Sequence, residues 1–274
     1  MTDHPSSAAG AGPNGRTAWP PTRVVARLPG SLPMGGVVPR TPVYTFATTP
    51  PALVFADRDE LRPRRRDIDL GGLLAFVIDE VVATDEADAI VAASEHFGFR
   101  EEAPGITTPP GMRLNKTVHW VADEALLGPL FARIRPVLPA VIDTMRLADR
   151  LSHRLNVYRY EAREVFNRHT DGDWPGFGLS PDREEMLQWP GMHSCLTMLL
   201  YLNGREDGVE GGCTRLYDRR GQSTEVTPRK GSALFFRHGM GPASVVHEGR
   251  PVVGATPKYV ARINVLYAAD RDGS

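Results

Sequence analysis

The chain has 274 residues and a nearly balanced charge, with 32 Lys and Arg against 33 Asp and Glu. It has no long basic run, so the electrostatic footprint of a nucleic-acid-binding protein is absent. No apolar run reaches the roughly 20 residues that a membrane-spanning helix needs. Its two cysteines, Cys195 and Cys213, provide neither a disulfide framework nor a cysteine-rich zinc site. The N-terminus lacks the apolar core of a secretory signal, and we therefore expect a cytoplasmic protein without nucleic-acid or membrane partners.

The first part of the chain differs in composition from the rest. Residues 1–40 are rich in Pro, Gly, Ala and Ser and show no periodicity, which predicts a flexible N-terminal arm. Residues 41–274 are predicted to form a single domain. Within it, residues 68–150 are expected to give supporting helices and strands, and residues 151–270 a β-rich core.

The supporting part contains one predicted strand and two predicted helices. The apolar run at 73–82 indicates a strand. A helix is predicted to follow, with Thr84 as its N-cap, acidic residues in its first turn and Gly98 after its end. A second helix is predicted at 123–136, where prolines end it.

The core part reads as a series of short β-type runs separated by Gly, Pro and Asp turn signals. These runs lie at 154–160, 194–203, 211–217, 232–238, 244–249 and 258–267. Many short strands of this kind are typical of an antiparallel sandwich or barrel. The fold class is therefore predicted as α+β, mainly β, with the β-rich core packed against N-terminal helices.

The last run, 258–267, alternates between two different faces. One face is apolar and suits packing against the helices, whereas the other carries Lys258 and Arg262. Buried charges need partners, so the second face suits a cavity that binds an anion. Lys258 is also one of only three lysines in a chain whose basic residues are otherwise arginines.

An H-x-D step is the strongest chemical signal in the sequence. In extended backbone, His169 and Asp171 project to the same side and can reach one ion. His247, at the end of a distal β-type run, is the best third ligand, and His238 is a rival for that place. Two imidazoles and one carboxylate form the facial triad of non-haem Fe(II) oxygenases.

The chain resembles the 2-oxoglutarate/Fe(II)-dependent dioxygenase superfamily, in its prolyl-4-hydroxylase-like branch. In "YRYEAREVFNRHTDG", Tyr160, Phe166, His169 and Asp171 match a motif of that branch, while Arg163 replaces its glycine. The segments "LTMLLYLN", "GGCTRLY" and "PRKGSALFF" follow in the family's order. The segment "HEGRPVVGATPKYVARINVLY" resembles its distal-histidine segment.

The resemblance implies a double-stranded β-helix, or jelly-roll, core buttressed by helices. It also implies Fe(II) held by His169, Asp171 and His247, with 2-oxoglutarate and O2 as co-substrates and ascorbate as a candidate reductant. The distal carboxylate of 2-oxoglutarate is expected on a basic side chain and a tyrosine hydroxyl.

Four residues are candidates for that co-substrate contact. Lys258 falls where the branch places its carboxylate-binding lysine. The interval from the distal histidine is one residue longer here, so Arg262, on the same face, stays an alternative. Tyr160 and Tyr201 are the candidates for the hydroxyl, although either can be an ordinary barrel residue.

The resemblance implies hydroxylation of an unactivated C–H bond, with conversion of 2-oxoglutarate and O2 to succinate and CO2. The chain has no evident substrate-binding domain, which favours a small molecule or an amino acid as substrate. A peptidyl or protein residue, as in prolyl hydroxylases, is the first alternative. A non-catalytic jelly-roll binding domain and a zinc-dependent cupin-type or hydrolytic enzyme are the others.

Two further segments are candidates for substrate contact. Residues 172–192, which carry Trp174 and Trp189, are predicted to form a mobile lid because a long loop beside a site is often functional. Upstream, Arg113 and Asn115 are either substrate contacts or parts of an ordinary surface strand.

Overall fold

The computed structural model of this chain describes residues 18–269. Its α-helices are α1 (Thr84–Phe97) and α2 (Glu124–Ile134), and short 3-10 helices lie at Pro51–Leu53, Arg135–Val137 and Arg205–Asp207. Its strands are β1 (Thr22–Ser31), β2 (Val37–Phe46), β3 (Arg64–Asp67), β4 (Ala75–Asp79), β5 (Ala103–Pro104), β6 (Lys116–Val121), β7 (Val141–Ile142), β8 (Met145–Leu151), β9 (Arg154–Tyr160), β10 (Phe166–His169), β11 (Pro175–Leu179), β12 (Met186–Tyr201), β13 (Thr214–Tyr217), β14 (Ser223–Val226), β15 (Ala233–Arg237), β16 (Val246–Gly249) and β17 (Lys258–Ala269). Among these residues, no helix combines the length and hydrophobicity that crossing a bilayer requires.

The strands form two sheets, as the predicted jelly roll requires. The larger sheet has the order β3-β4-β15-β12-β17-β9-β6-β2-β1-β5, with β11 added on β12 and the β7-β8 hairpin on β17. The smaller sheet has the order β10-β16-β13-β14. Side chains of both sheets share one buried apolar cluster, so the sheets face each other across it. The α+β, mainly β, class and the jelly-roll core are thereby confirmed.

The two faces of β17 separate as its alternation predicts. Ala261, Ile263 and Val265 on one face share a buried cluster with Ile90 of α1 and Leu126 of α2. The predicted packing of this face against the helices is therefore confirmed. The opposite face, with its charged residues, is turned into the space between the two sheets.

The flexible arm predicted over residues 1–40 needs correction. Residues 1–17 lie outside the described residues, but residues 22–40 form β1 and the start of β2, which pair antiparallel. Strand β1 also pairs with β5, and β2 with β6. Register shifts interrupt the β1-β2 ladder at two places, and such bulges break the period-two alternation that identifies a strand in a sequence.

Helix α1 begins one residue earlier than its sequence signal indicates. Ala83, not Thr84, is the N-cap, and its backbone N–H donates to the Glu86 carboxylate at 2.9 Å. The same carboxylate pairs with Arg133 of α2 at 2.7 Å, with both side chains buried, and this ties the two helices together. The helix ends as predicted at Gly98, which has a φ of 84°.

The predicted mobile lid is a paired hairpin. Strand β11 pairs with the first half of β12, and the Phe177 carbonyl accepts a hydrogen bond from the His153 N–H at 2.8 Å. The Trp189 ring meets His153 edge-on at 4.9 Å between centroids, and the Arg154 guanidinium lies 5.1 Å from the Trp174 ring. Pairing and stacking thus anchor this segment on the start of β9.

Two glycines with left-handed backbones allow a test of the contact between β4 and the turn before β15. Gly231 (φ 77°) accepts hydrogen bonds from the backbone N–H groups of Val81 and Val82, and an added Cβ would collide with the Val82 carbonyl. Gly221 (φ 81°) has open space around an added Cβ. We expect Gly221→Ala to cost about 1–2 kcal/mol of unfolding free energy, the usual cost of a left-handed non-glycine residue. Gly231→Ala should cost at least about 1 kcal/mol more, since it also disturbs buried hydrogen bonds. Equal losses for the two variants in denaturant unfolding would contradict this packing.

Candidate active site

Antiparallel pairing brings together three potential metal ligands. His169 at the end of β10 lies directly opposite His247 of β16, and Asp171 follows two residues after His169. The ligand atoms of the three side chains lie within 4.8 Å of one another. Asp171 Oδ1 is 3.7 Å from His169 Nε2, and Asp171 Oδ2 is 3.9 Å from His247 Nε2. The structure therefore gathers the H-x-D step and the distal histidine around one point.

Backbone carbonyls fix the tautomers of both histidines. His169 Nδ1 donates to the Asn167 carbonyl at 2.7 Å, and His247 Nδ1 donates to the Val245 carbonyl at 3.3 Å. Since Nδ1 carries the proton, the Nε2 lone pair of each ring stays available as a ligand. Burial, reinforced by the neighbouring His169, lowers the pKa of His247 to about 3. His247 is therefore neutral at physiological pH, which is the form that binds a metal.

Aromatic rings fix the orientation of the two imidazoles. The Phe166 ring stacks on His169 with centroids 3.7 Å apart, and the Phe236 ring lies 4.3 Å from His247. Phe166 is buried, and His247 is only 4% exposed. The ligand side chains are thus held before any ion binds, and the loss of conformational entropy on binding is correspondingly small.

The Asp171 carboxylate has its own buried support. Oδ2 accepts a hydrogen bond from Thr197 Oγ1 at 2.6 Å and one from Arg262 Nε at 3.0 Å. Burial alone would raise the pKa of Asp171, but Arg262, followed by His247 and His169, holds it well below its usual range. The carboxylate is therefore ionised, and the support of Oδ2 leaves Oδ1 for a further ligand.

His238, the rival ligand, supports Asp171 indirectly instead. Its Nδ1 lies 2.7 Å from Thr197 Oγ1 and its Nε2 lies 2.8 Å from Ser194 Oγ. Because the Thr197 hydroxyl donates to Asp171, it accepts from His238 Nδ1–H, and Ser194 donates to Nε2. Ser194 Oγ in turn accepts the Trp174 N–H at 2.9 Å. A continuous chain of hydrogen bonds thus runs from the β11-β12 hairpin to the carboxylate.

The donor set fits Fe(II). Two imidazoles that direct Nε2 towards one point and one ionised carboxylate form the 2-His-1-carboxylate arrangement that non-haem iron oxygenases use. A divalent cation at this point would also compensate the buried negative charge of Asp171.

Lys258 lies in a narrow cavity beside this cluster. It is 1% exposed, its Nζ donates to the Gly212 carbonyl at 2.7 Å, and the ammonium lies 4.4 Å from the centroid of the Tyr160 ring. Burial lowers the pKa of Lys258 to about 8. Among residues 18–269, no carboxylate lies within ion-pair distance of this ammonium.

The other candidates for co-substrate contact take different positions. Tyr160 lines the same cavity, together with Thr214. Tyr201 lies behind that wall and donates its hydroxyl to Thr214 Oγ1 at 2.9 Å. Arg262 lies at the far end of the cavity, in the ion pair with Asp171. The structure therefore brings Lys258 and Tyr160 together and separates Arg262 from them.

A second, wider cavity of about 510 Å³ opens on the other side of the cluster. Its walls come from residues 105–109, Met112, Trp174, Tyr158 and Arg262. Sequence reasoning missed Tyr158, although the alternation of β9 places it on the same face as Tyr160. It also missed residues 105–109, which form no motif.

The upstream candidates prove to be buried. Arg113 and Asn115 are both 0% exposed, so the surface-strand interpretation is wrong. The Arg113 guanidinium donates to the backbone carbonyls of Asn115, Ser31 and Glu101. It lies inside the protein rather than at the wall of the wide cavity.

Comparison with known proteins relates one part of the chain to a family. Residues 155–266 match the sequence profile described as the 2OG-Fe(II) oxygenase superfamily. No curated protein matches the chain.

Several solved structures resemble the chain in fold. A prolyl hydroxylase from Trichoplax adhaerens, in complex with a hypoxia inducible factor oxygen degradation domain peptide fragment, has 18% identity, 74% coverage of this chain, 86% coverage of its own and a TM-score of 0.51. The viral collagen prolyl hydroxylase of Paramecium Bursaria Chlorella virus-1, in its 2OG complex, has 20% identity, coverages of 73% and 99%, and a TM-score of 0.48. A Pseudomonas putida prolyl-4-hydroxylase has 17% identity, coverages of 73% and 95%, and a TM-score of 0.45. At 18% identity, the likeness to the Trichoplax adhaerens enzyme concerns the fold alone.

The profile match covers all three clustered ligand residues and both cationic residues of β17. The chain is accordingly a 2-oxoglutarate-dependent dioxygenase that uses Fe(II), 2-oxoglutarate and O2, and its residues 155–266 belong to the 2OG-Fe(II) oxygenase superfamily.

Proposed function

We propose that the enzyme hydroxylates an unactivated C–H bond of a small molecule or an amino acid, with His169, Asp171 and His247 as the iron ligands. Iron, when bound with 2-oxoglutarate and O2, supplies the oxidising chemistry and yields succinate and CO2. The observation that carries this assignment is the set of three convergent ligand atoms within 4.8 Å of one another. The protein positions the reactants and excludes water from the iron.

We assign Lys258 as the residue that binds the distal carboxylate of 2-oxoglutarate. A buried ammonium without an anionic partner is costly, and a carboxylate in the same cavity would compensate it. Tyr160 and Thr214 border the cavity beside the ammonium and offer hydroxyls to the same carboxylate. Tyr201 orients Thr214 from behind rather than contacting the ligand itself.

The wide cavity supports a small substrate. Its volume of about 510 Å³ lies in the range of cavities that enclose small-molecule ligands, about 300–1,000 Å³. It adjoins His169 and Asp171, so a bound molecule would lie next to the iron.

A peptidyl residue is the second candidate substrate. The Trichoplax adhaerens prolyl hydroxylase, which resembles this chain in fold, is in complex with a peptide fragment. A peptide would have to enter the wide cavity with one side chain and leave the rest of its backbone on the rim.

The iron assignment predicts the effect of losing one ligand. His169→Ala should abolish iron-dependent succinate formation and lower the affinity for Fe(II) by at least about tenfold, because one of three protein ligands is lost. His193→Ala is the matched control, since His193 is half exposed and pairs with Asp173 on the surface. Iron affinity by anaerobic titration and succinate release would be measured for both. Full iron binding and turnover in His169→Ala would refute the assignment.

The co-substrate assignment predicts a selective loss in a Lys258 variant. Removing one partner of a buried ion pair costs about 3–5 kcal/mol, which corresponds to a hundredfold or more in affinity. Lys258→Ala should therefore raise the KM for 2-oxoglutarate at least about tenfold, with iron affinity nearly unchanged. Lys230→Ala, which removes a lysine paired with Asp88 and Asp207, is the control.

A variant of Arg262 distinguishes the roles of the two cationic residues of β17. Arg262→Ala should leave 2-oxoglutarate binding closer to the wild-type value than Lys258→Ala does. If instead Arg262→Ala raises this KM and Lys258→Ala does not, the roles are exchanged.

The lowered pKa of Lys258 predicts a pH dependence of co-substrate binding. The protonated ammonium binds the carboxylate, so affinity for 2-oxoglutarate should fall by up to about tenfold per pH unit as pH rises above about 8, where free Lys258 loses its proton. Lys258→Arg keeps its charge and should lose this step. The test measures the dissociation constant of 2-oxoglutarate between pH 7 and pH 10 in both proteins, with a divalent metal that does not support turnover. An identical pH profile in the wild type and Lys258→Arg would contradict it.

A further inference from the structure

Three buried arginines lie close enough to one buried histidine to affect its pKa, and one of them, Arg262, lines the wide cavity. Arg154 Nη2 lies 2.9 Å from His119 Nδ1, and β9 pairs with β6 on one side and with β17 on the other. Burial, followed by the charges of Arg154, Arg113 and Arg262, holds the pKa of His119 well below its usual range. We call these three side chains the arginine cluster. They are 4%, 0% and 4% exposed, in the order named.

The arginine cluster has too little negative charge around it. Arg262 pairs with Asp171, whose charge a bound Fe(II) would already compensate. Within the described part of the chain, no carboxylate lies within ion-pair distance of Arg113 or Arg154. Their hydrogen bonds go to backbone carbonyls and, for Arg154, to His119. Uncompensated buried charges are costly unless an anion joins them.

The arginine cluster and His119 have several hydrogen-bond donors without partners. Arg262 Nη2, Arg154 Nε and Arg113 Nε are buried and have no acceptor among the described residues. His119 Nε2 is in the same position, and it carries the ring proton because Nδ1 accepts from Arg154. Buried donors are nearly always paired in folded proteins, by protein, water or ligand. Of these four donors, only Arg262 Nη2 belongs to a residue that lines the wide cavity, so it is the one that a ligand there can reach.

Arg262 connects the cluster to the substrate side of the iron site. Its side chain lines the wide cavity and uses Nε for Asp171, so the unpartnered Nη2 is the atom left for a ligand. Arg154 lies directly behind the wall, over the Trp174 ring. The rest of the wall includes Ile106 and Met112, which are apolar. The cavity therefore offers the Arg262 guanidinium beside apolar side chains, with the exposed Arg168 at its rim.

We propose that the substrate of this enzyme carries a carboxylate, which binds Arg262 Nη2 in the wide cavity while Arg154 and Arg113 supply additional positive charge. This inference rests on the proposed function, since it assumes that substrate enters beside His169 and Asp171. It is a separate anion site from that of 2-oxoglutarate, because Lys258 and Arg262 are four residues apart on one strand, or roughly 13 Å. Arg262 offers one unpartnered guanidinium nitrogen, which suits a carboxylate better than a phosphate, whose three oxygens call for more donors.

The test compares acids with their neutral amides. The protein is first saturated with Zn(II) and 2-oxoglutarate, so that the co-substrate cavity is filled and no turnover occurs. It is then titrated with N-acetyl amino acids and with the corresponding N-acetyl amino-acid amides. Binding is followed by the fluorescence of Trp174, which lines the cavity, and Trp174→Phe verifies the origin of the signal. We expect at least one acid to bind about tenfold or more tighter than its amide. Failure of 2-oxoglutarate itself to bind would count against the proposed function, and it is measured first.

Two arginine variants locate the site. Arg262→Gln should remove the preference for the acid, whereas Arg168→Gln, which changes an exposed arginine on the rim of the same cavity, should retain it. Because Arg262 also contacts Asp171, Arg154→Gln provides a second variant that leaves this contact in place and should weaken binding of the acid several-fold. The comparison is repeated in metal-free protein if Arg262→Gln binds Zn(II) poorly.

Three results would overturn the proposal. One is equal binding of acids and amides, or no binding of any acid up to about 10 mM, since a dissociation constant above that value is weaker than that of most specific ligands. Another is an acid preference that survives both Arg262→Gln and Arg154→Gln. A third is displacement of bound acid by low concentrations of inorganic phosphate, which would identify a phosphate site instead.

Discussion

The buried carboxylate of Asp171 is the interaction on which the rest of the site depends. A carboxylate that is removed from water needs both positive charge and hydrogen-bond donors. Arg262 and Thr197 supply them at Oδ2, and the hydrogen-bond chain through His238 and Ser194 fixes Thr197 in turn. This support keeps Asp171 ionised and oriented, so Oδ1 can act as a ligand together with the two histidines that β10 and β16 bring face to face.

Strand β17 contributes a cationic side chain to each of the two cavities beside that carboxylate. Its apolar face is fixed against α1 and α2, and therefore its other face must turn towards the space between the sheets. Lys258 and Arg262 therefore share this face but lie at different positions along the strand. Lys258 lines the narrow cavity, which we propose for the co-substrate, and Arg262 stands between Asp171 and the wide cavity. In the proposed function, this one amphipathic strand thus supplies the cation of two separate anion sites.

Much of this arrangement could be predicted because its signals are local. The H-x-D step, the distal His247 and the alternation of β17 each lie within a few residues. The support of Asp171 could not be predicted, since Thr197, His238 and Arg262 come from three strands that meet only in the fold. Strand β1 was hidden by bulges that interrupt its alternation. The β11-β12 hairpin was hidden by its Gly and Pro content, which is equally typical of a loop.

The most direct test of this account is a crystal structure of the protein with Mn(II) and 2-oxoglutarate, in which anomalous scattering locates the metal. The account predicts Mn(II) between His169 Nε2, His247 Nε2 and an oxygen of Asp171, with the distal carboxylate of 2-oxoglutarate on Lys258 Nζ and Arg262 still paired with Asp171. A metal elsewhere, or a co-substrate carboxylate bound by Arg262 in the wide cavity, would contradict it.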